Sequence, residues 1–215
     1  MNTKKFIKRE AENLGFLDVK FTSADIITHE FQNYKEWLSR SYNADMHWME
    51  RNLDKKQDIG LILDNAKTVM VFSHSYFTGQ NYPEILGDTG KISRYAWGTD
   101  YHEIIIKKLR VIEKKLKEIN PEISTMSYVD TGPILERQWA VKSGLGWQGK
   151  NGMIINPKYG SYFFIGIIIT DFEIQSDSRL KDMCGTCDKC MQACPTNAIV
   201  QPKVVDSRKC ISYWT

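Results

Sequence analysis

The chain has 215 residues, 42% of them hydrophobic, enough to bury one substantial core and to carry a small appendage. Its 29 Lys and Arg against 26 Asp and Glu leave a formal charge of +3, which permits a polyanionic partner without requiring one. The N-terminal cations lack the apolar stretch and cleavage site of a secretory signal, and the longest apolar run, Tyr162 to Ile169, is too short for a membrane helix. No export or membrane insertion is expected, and a cytoplasmic protein is.

In chain order, residues from about Thr3 to Leu14 and from about His29 to Ser41 alternate apolar and charged positions at helical spacing, which predicts two packing helices. Thr68-Val-Met-Val-Phe72 is short, apolar and β-rich, as expected of a central strand covered on both faces. Between Tyr101 and Ile119, Ile105, Leu109, Ile112, Leu116 and Ile119 step by four and three, the mark of an amphipathic helix. Its lysines predict a solvated face more readily than an RNA contact. Ile123 to Val129 reads as extended and stops at Asp130-Thr-Gly-Pro133, with Pro133 suited to the first turn of a helix running through Glu136, Trp139 and Lys142.

Asp130 therefore sits where a strand gives way to a helix. On residue type alone, a helix-capping carboxylate and a catalytic acid are equally good readings. Downstream, Gly144, Gly146, Gly149 and Gly152 surround Trp147, Lys150 and Asn151, so the backbone can approach a large flat ligand while these side chains pack on it or reach its polar groups. An ordinary glycine-rich loop is the alternative. Met153 to Ile155 and Tyr162 to Thr170 flank Asn156-Pro-Lys-Tyr-Gly160, which predicts a hairpin. Polar residues after Thr170 place a boundary near residue 175, between an α/β (α+β) body, residues 1–175, and an appended unit, residues 176–215.

Cys184-Gly-Thr-Cys187-Asp-Lys-Cys190-Met-Gln-Ala-Cys194-Pro195 is C-x2-C-x2-C-x3-C-P, the bacterial ferredoxin run that binds a 4Fe-4S cubane. A zinc knuckle or inert buried thiols are the less specific readings. In two-cluster ferredoxins the fourth cysteine serves the other centre, which assigns Cys184, Cys187 and Cys190 to one cluster and Cys194 to a second, with Cys210 as a further ligand. Two such clusters held by cysteine alone ask for on the order of eight thiolates. The chain has five cysteines, so truncation before a second cysteine run is expected, leaving at most one complete cluster, with Cys194 or Cys210 as substitute fourth ligand.

Several motifs occur in an order that resembles one known family, the epoxyqueuosine reductases. They are Met46-His-Trp-Met-Glu-Arg51, Arg94-Tyr-Ala-Trp-Gly-Thr-Asp-Tyr-His102, Tyr128-Val-Asp-Thr-Gly-Pro-Ile-Leu-Glu-Arg137, Gly144-Leu-Gly-Trp-Gln-Gly-Lys-Asn151, the cysteine run and Asp206-Ser-Arg-Lys-Cys-Ile-Ser-Tyr213. The resemblance covers essentially the whole chain. It implies reduction of epoxyqueuosine to queuosine at the wobble base of tRNA, the last step of queuosine biosynthesis, with a cobalamin fed by two 4Fe-4S clusters. It makes the body a cobalamin-binding catalytic domain, the appendage a partial ferredoxin-like domain, and Asp130 the proton donor, best served by apolar surroundings that disfavour carboxylate.

Arg94, Tyr95, Asp130, Arg137, Gly146, Trp147, Gly149, Lys150 and Asn151 become the expected cofactor contacts, although Arg137 reads equally as an exposed helix cation or a phosphate contact. The stretch Asp100-Tyr-His102-Glu-Ile-Ile105 approaches the D-x-H-x-x-G signature of lower-axial histidine ligation, but Ile105 stands where Gly is needed, so base-off cobalamin without His102 on the metal is expected. The implied partners are the tRNA anticodon region carrying epoxyqueuosine and an unidentified electron donor, and a monomer is expected. Two rivals remain open at this stage: a corrinoid reductive dehalogenase, which typically carries an export signal, and a non-catalytic ferredoxin-like electron carrier in which Asp130 is only structural.

Overall fold

A computed structural model describes residues 2–82 and 90–214 of the chain. Helix α1 (Thr3–Asn13) opens on Asn2, whose side chain accepts the Lys5 N–H, and leads into β1 (Asp18–Ser23). Next come α2 (Thr28–Ser39), the short α3 (Leu53–Gln57) and β2 (Thr68–Ser75). The long α4 (Tyr101–Ile119), capped by the Asp100 carboxylate on the His102 N–H, is followed by β3 (Thr125–Tyr128) and α5 (Glu136–Ser143). Strands β4 (Trp147–Gln148), β5 (Ile154–Ile155) and β6 (Phe163–Thr170) complete the body. The cysteine-bearing end adds α6 (Lys189–Gln192), β7 (Ile199–Gln201), β8 (Val204–Val205) and α7 (Ile211–Trp214).

Four strands form one antiparallel sheet in the order β1-β2-β6-β3. Alternation along β2 sends Met70 and Phe72 to one face and Val69 and Val71 to the other, and neighbouring β6 does the same with Ile168 against Ile167 and Ile169. The first face packs on Ile7 and Ala11 of α1 and on Ile105, Leu109, Ile112 and Leu116 of α4. The second packs on Trp139 and Ala140 of α5, with Leu145 and Ile154. The sheet is covered on both faces, which is why the central strands read as continuous apolar runs.

Gly166 in β6 lies where α4 crosses: a Cβ there would meet Ile105 Cγ2 at 3.0 Å and Leu109 Cδ1 at 3.2 Å. We expect Gly166→Val to destabilise the fold by about 1–3 kcal/mol through overpacking, measurable as a lower denaturant midpoint with unchanged slope.

Two expectations need correction. Met153 to Ile155 and Tyr162 to Thr170 do not form a hairpin. Ile154 and Ile155 pair with Gln148 and Trp147 of β4, and β6 pairs with β2 and β3. The intervening turn closes on a single bridge between Asn156 and Gly160, and the buried Asn156 side chain donates to Leu145 O at 2.6 Å, tying the turn to the glycine segment. Pro133 also does not open a helix: α5 begins at Glu136, and residues 129–135 form a loop.

Candidate active site and iron-sulfur segment

The loop that replaces the expected first turn is what presents Asp130. Its backbone is left-handed, φ 55°, a conformation that aspartate and asparagine tolerate better than most residues. Gly132 lets the loop fold back on β3, since a Cβ there would lie 2.3 Å from Tyr128 Cδ1. The Asp130 carboxylate accepts a hydrogen bond from the Tyr101 hydroxyl, and His102 Nε2 lies 3.9 Å from its Oδ2. His102 itself is held by Asp100, Nδ1 to Oδ1 at 2.8 Å, in the first turn of α4. Burial and the bond to Asp130 both push the Tyr101 phenol well above its usual range, so it stays a donor at neutral pH.

Tyr101 begins a run of aromatic rings. It stacks on Phe164 at 3.8 Å with a 5° interplanar angle, Phe164 meets Tyr76 at 4.8 Å, Tyr76 meets Tyr162 at 5.6 Å, and Tyr162 meets Phe77 at 5.5 Å. Arg94 lies over Phe77 at 5.7 Å and over Trp97 at 5.1 Å, with Tyr95 exposed beside it. Phe77, Tyr95 and Tyr162 are all about half exposed, an unusual outlay of apolar surface that fits a large planar ligand. Sequence reasoning missed Tyr101, Tyr162, Phe164 and Phe77. The available signal was the aromatic density around Tyr76-Phe77 and Tyr162-Phe-Phe164, which reads as core until the strand ends are placed.

Asp130 is itself about half exposed, with 52% of its side-chain surface accessible. The carboxyl in dry surroundings is its neighbour Glu136, whose Oε1 has no solvent contact and no hydrogen-bond partner. Burial above all, reinforced by the charge of Asp130, lifts Glu136 to about 7.

On the far side of this loop, the glycine segment faces the cysteines. Arg137 Nη1 donates to Gly152 O at 3.1 Å, Lys150 Nζ donates to Gly185 O at 2.9 Å, and Lys203 N–H donates to Lys150 O at 2.9 Å. Asn151 lines a cavity shared with Cys190, Cys194 and Cys210. Gly146 is required by the chain's own packing, because a Cβ would lie 2.5 Å from Ile155 O across β4 and β5. A Cβ at Gly149 would likewise strike Ile155 Cδ1 at 2.7 Å. Trp147 is partly covered, and its Nε1 is buried without a partner. Of the residues expected around one ligand, Arg94 and Tyr95 thus stand at the aromatic run, while Arg137 ties α5 to the glycine segment and Lys150 and Asn151 border the cysteines.

All five cysteines are unpaired. Ala198 N–H donates to Cys194 Sγ at 3.2 Å. The backbone N–H of Ile199, with those of Thr196 and Ala198, favours the thiolate and lowers Cys194 to about 7. Among the described residues no three His, Cys, Asp or Glu groups converge on a single metal ion. The thiolates around a four-iron cubane stand farther apart than those around one ion, and the spacing and donor chemistry of this run fit a cubane. The segment is docked on the body by Trp37 Nε1 donating to Val205 O at 2.7 Å, and by Ser207 N–H donating to Tyr42 O at 2.9 Å. Asp206, almost fully buried, takes two bonds from Arg208 at 2.8 Å each, which hold its carboxyl below the usual range.

Comparison with known proteins places these features together. Residues 56–131 match the family model described as "Epoxyqueuosine reductase QueG, DUF1730", and residues 183–215 match that of a "4Fe-4S double cluster binding domain". An epoxyqueuosine reductase of Cellulophaga algicola is 41% identical over 219 residues, covering 100% of this chain and 71% of the relative. The crystal structure of an epoxyqueuosine reductase with a tRNA-Tyr epoxyqueuosine-modified stem loop superposes with TM-score 0.85 at 31% identity, over 98% of this chain and 56% of that one. A Bacillus subtilis epoxyqueuosine reductase, solved with its aspartate-bearing catalytic loop swung out of the active site, gives TM-score 0.84 at 30% identity, covering 98% and 56%. A reductive dehalogenase shares the fold alone, at 14% identity and TM-score 0.53. The chain spans little more than half the length of these solved reductases and about 71% of the Cellulophaga relative. With an iron-sulfur binding segment at residues 183–215 and relatives of this identity along its whole length, the chain belongs to the epoxyqueuosine reductase family.

Proposed function

We propose that the protein reduces epoxyqueuosine to queuosine in tRNA, using cobalamin reduced through 4Fe-4S clusters, with Asp130 as the proton donor. The observation that carries this reading is the position of Asp130. It stands on a left-handed loop at the head of an aromatic run, just before α5, whose Arg137 donates to Gly152 O of the glycine segment, and that segment meets the cysteine run through Lys150 Nζ on Gly185 O. Removing the epoxide oxygen as water takes two electrons and two protons. Bound cobalamin, when reduced, supplies the electrons. Asp130 delivers a proton to the epoxide oxygen, and the Tyr101 hydroxyl holds the carboxyl in place.

The residues that would hold the corrin are Arg94, Tyr95, Asp130, Arg137, Gly146, Trp147, Gly149, Lys150 and Asn151, and on this reading the half-exposed Phe77 and Tyr162 would join them. The partnerless Trp147 Nε1 is a donor available to such a group. His102 is engaged with Asp100 and stacked on Tyr101 at 4.0 Å, in keeping with base-off binding. Cys184, Cys187 and Cys190 serve one cluster, and Cys194 and Cys210 serve the second. This divides the protein into a cobalamin-binding body, residues 1–175, and an iron-sulfur unit from residue 176.

The partner is the anticodon region of a tRNA, its modified base splayed onto the aromatic surface and its phosphates met by Lys and Arg. A relative has been solved with such a modified stem loop. An electron donor, a monomeric state and a cytoplasmic location complete the proposal. No helix among the described residues is long and apolar enough to cross a membrane. The reading is tested by anaerobic reconstitution of the full-length protein with cobalamin: a base-off absorption spectrum is expected, and a base-on spectrum or absence of uptake overturns it.

A further inference from the structure

Epoxide removal consumes two protons and a single carboxyl holds one, so Asp130 must be recharged between deliveries. The first turn of α4 carries an imidazole that the mechanism above leaves unused. His102 Nε2 stands 3.9 Å from Asp130 Oδ2, the same oxygen that takes the Tyr101 hydroxyl. The other ring nitrogen, Nδ1, lies 2.8 Å from Asp100 Oδ1, and the ring stacks on Tyr101 at 4.0 Å. The imidazole is thus fixed from two sides, while 37% of its side-chain surface stays open to water.

Asp100 decides which nitrogen exchanges protons. As the N-cap of α4, its Oδ1 accepts the His102 backbone N–H at 2.9 Å as well as the ring contact, and these two bonds hold its carboxyl below the usual range. A carboxylate can only accept, so Nδ1 carries a hydrogen in both the neutral and the cationic imidazole. Exchange is left to Nε2, the nitrogen turned to Asp130. Among the described residues the acids paired with the ring nitrogens are Asp100 and Asp130, Tyr101 covers one ring face, and Tyr95 lies near Tyr101.

We propose that Asp100, His102 and Asp130 form a proton relay, in which His102 draws protons from water one at a time and passes each through Nε2 to Asp130. The inference rests on the reading of Asp130 as the acid. Each delivery follows one path: the imidazolium gives its Nε2 proton to Asp130, Asp130 gives it to the substrate oxygen, and the neutral imidazole takes another from water. The first proton turns the epoxide oxygen into a hydroxyl as one C–O bond breaks, and the second lets that hydroxyl leave as water as the other breaks. Two protons thus enter from water, the two electrons come from the reduced cobalamin of the proposed function, and the alkene is the product.

The geometry suits the transfer. The Tyr101 and His102 contacts both fall on Oδ2 of Asp130, which leaves Oδ1 to meet the substrate. The 3.9 Å gap is closed by a small turn of the half-exposed carboxyl or bridged by one water, as is usual for general acids before substrate binds. His102 never touches the substrate, so it is a positioning residue for the proton and acts through Asp130.

Two measurements on the full-length protein test the relay. Nitrogen NMR of histidine-labelled protein, with the His102 signals assigned by their absence in His102→Gln, is expected to show the neutral ring protonated on Nδ1; a neutral ring protonated on Nε2 overturns the relay. Should His102→Gln fail to fold, the signals are identified by their displacement in Asp100→Asn, which keeps the helix cap. In turnover of modified tRNA by the loaded enzyme, His102→Ala is expected to lower the rate about 10²-fold, and a free ring-methylated imidazole, hindered from ligating metal, is expected to restore it. A rate equal to wild type, or a loss that the added imidazole leaves unrepaired, overturns the relay, because a solute does not replace a merely structural histidine. The tautomer is read without cobalamin or turnover, so a failed relay is distinguishable from a failed assignment of the reaction.

Discussion

Asp130→Asn is expected to leave folding and cobalamin uptake intact while lowering epoxyqueuosine turnover by about 10²- to 10⁴-fold. Asparagine has the same shape, still accepts the hydrogen bond from Tyr101, and adopts the left-handed backbone that position 130 requires. What it lacks is the ionisable proton. The substitution therefore separates the helix-cap and catalytic readings of this residue, since a structural role survives the exchange and an acid does not. The measurement is single-turnover reduction of modified tRNA by the loaded full-length enzyme, beside a denaturation curve and an absorption spectrum. The loss should fall on the rate at saturation, because the bond to the epoxide oxygen strengthens as charge develops there. Unchanged turnover removes Asp130 from the acid role.

The fold was legible where periodicity was strong. The apolar steps of Ile105, Leu109, Ile112 and Leu116 marked α4, and the unbroken run at Thr68 marked a strand buried on both sides. Pairing was less legible, because strand partners depend on tertiary packing. Met153 to Ile155 beside a Gly-containing turn has the local chemistry of a hairpin, yet Gly146 lets β4 approach so closely that it takes β5 as partner instead. The cysteine ligand spacing is a property of the sequence itself and needed no structure.

The surroundings of the acid were opaque for a different reason. Sequence marks Asp130 but cannot tell which of two carboxyls six residues apart is dry. That depends on where α5 begins, and it begins at Glu136, later than Pro133 advertises. Likewise Lys150 and Asn151 read as ligand-facing by residue type, and only the docking of the cysteine segment shows that they border it. The aromatic run was hidden because its rings come from the first residue of α4, from β6 and from the residues just past β2 and just before β6, which meet only in the folded sheet.

Reconstituted anaerobically with iron and sulfide, the 215-residue chain should take up on the order of four irons rather than eight. Cys184, Cys187 and Cys190 supply three thiolates at ferredoxin spacing, and Cys187 N–H bonded to Cys184 O at 2.9 Å makes the tight turn between the first two. A fourth donor is at hand because Cys190 opens on the same cavity as Cys194 and Cys210. Cys194 is the readier thiolate, given the N–H groups gathered around its sulfur. Five thiols cannot fill a second cubane as well, so the remaining one stays titratable. Cys187→Ser should then reduce bound iron to near zero, whereas losing whichever of Cys194 and Cys210 is the spare should leave it unchanged. Iron analysis with thiol counting reads both quantities. A full complement of about eight irons would mean that non-cysteine ligands complete the centres and that the thiolate assignment is wrong.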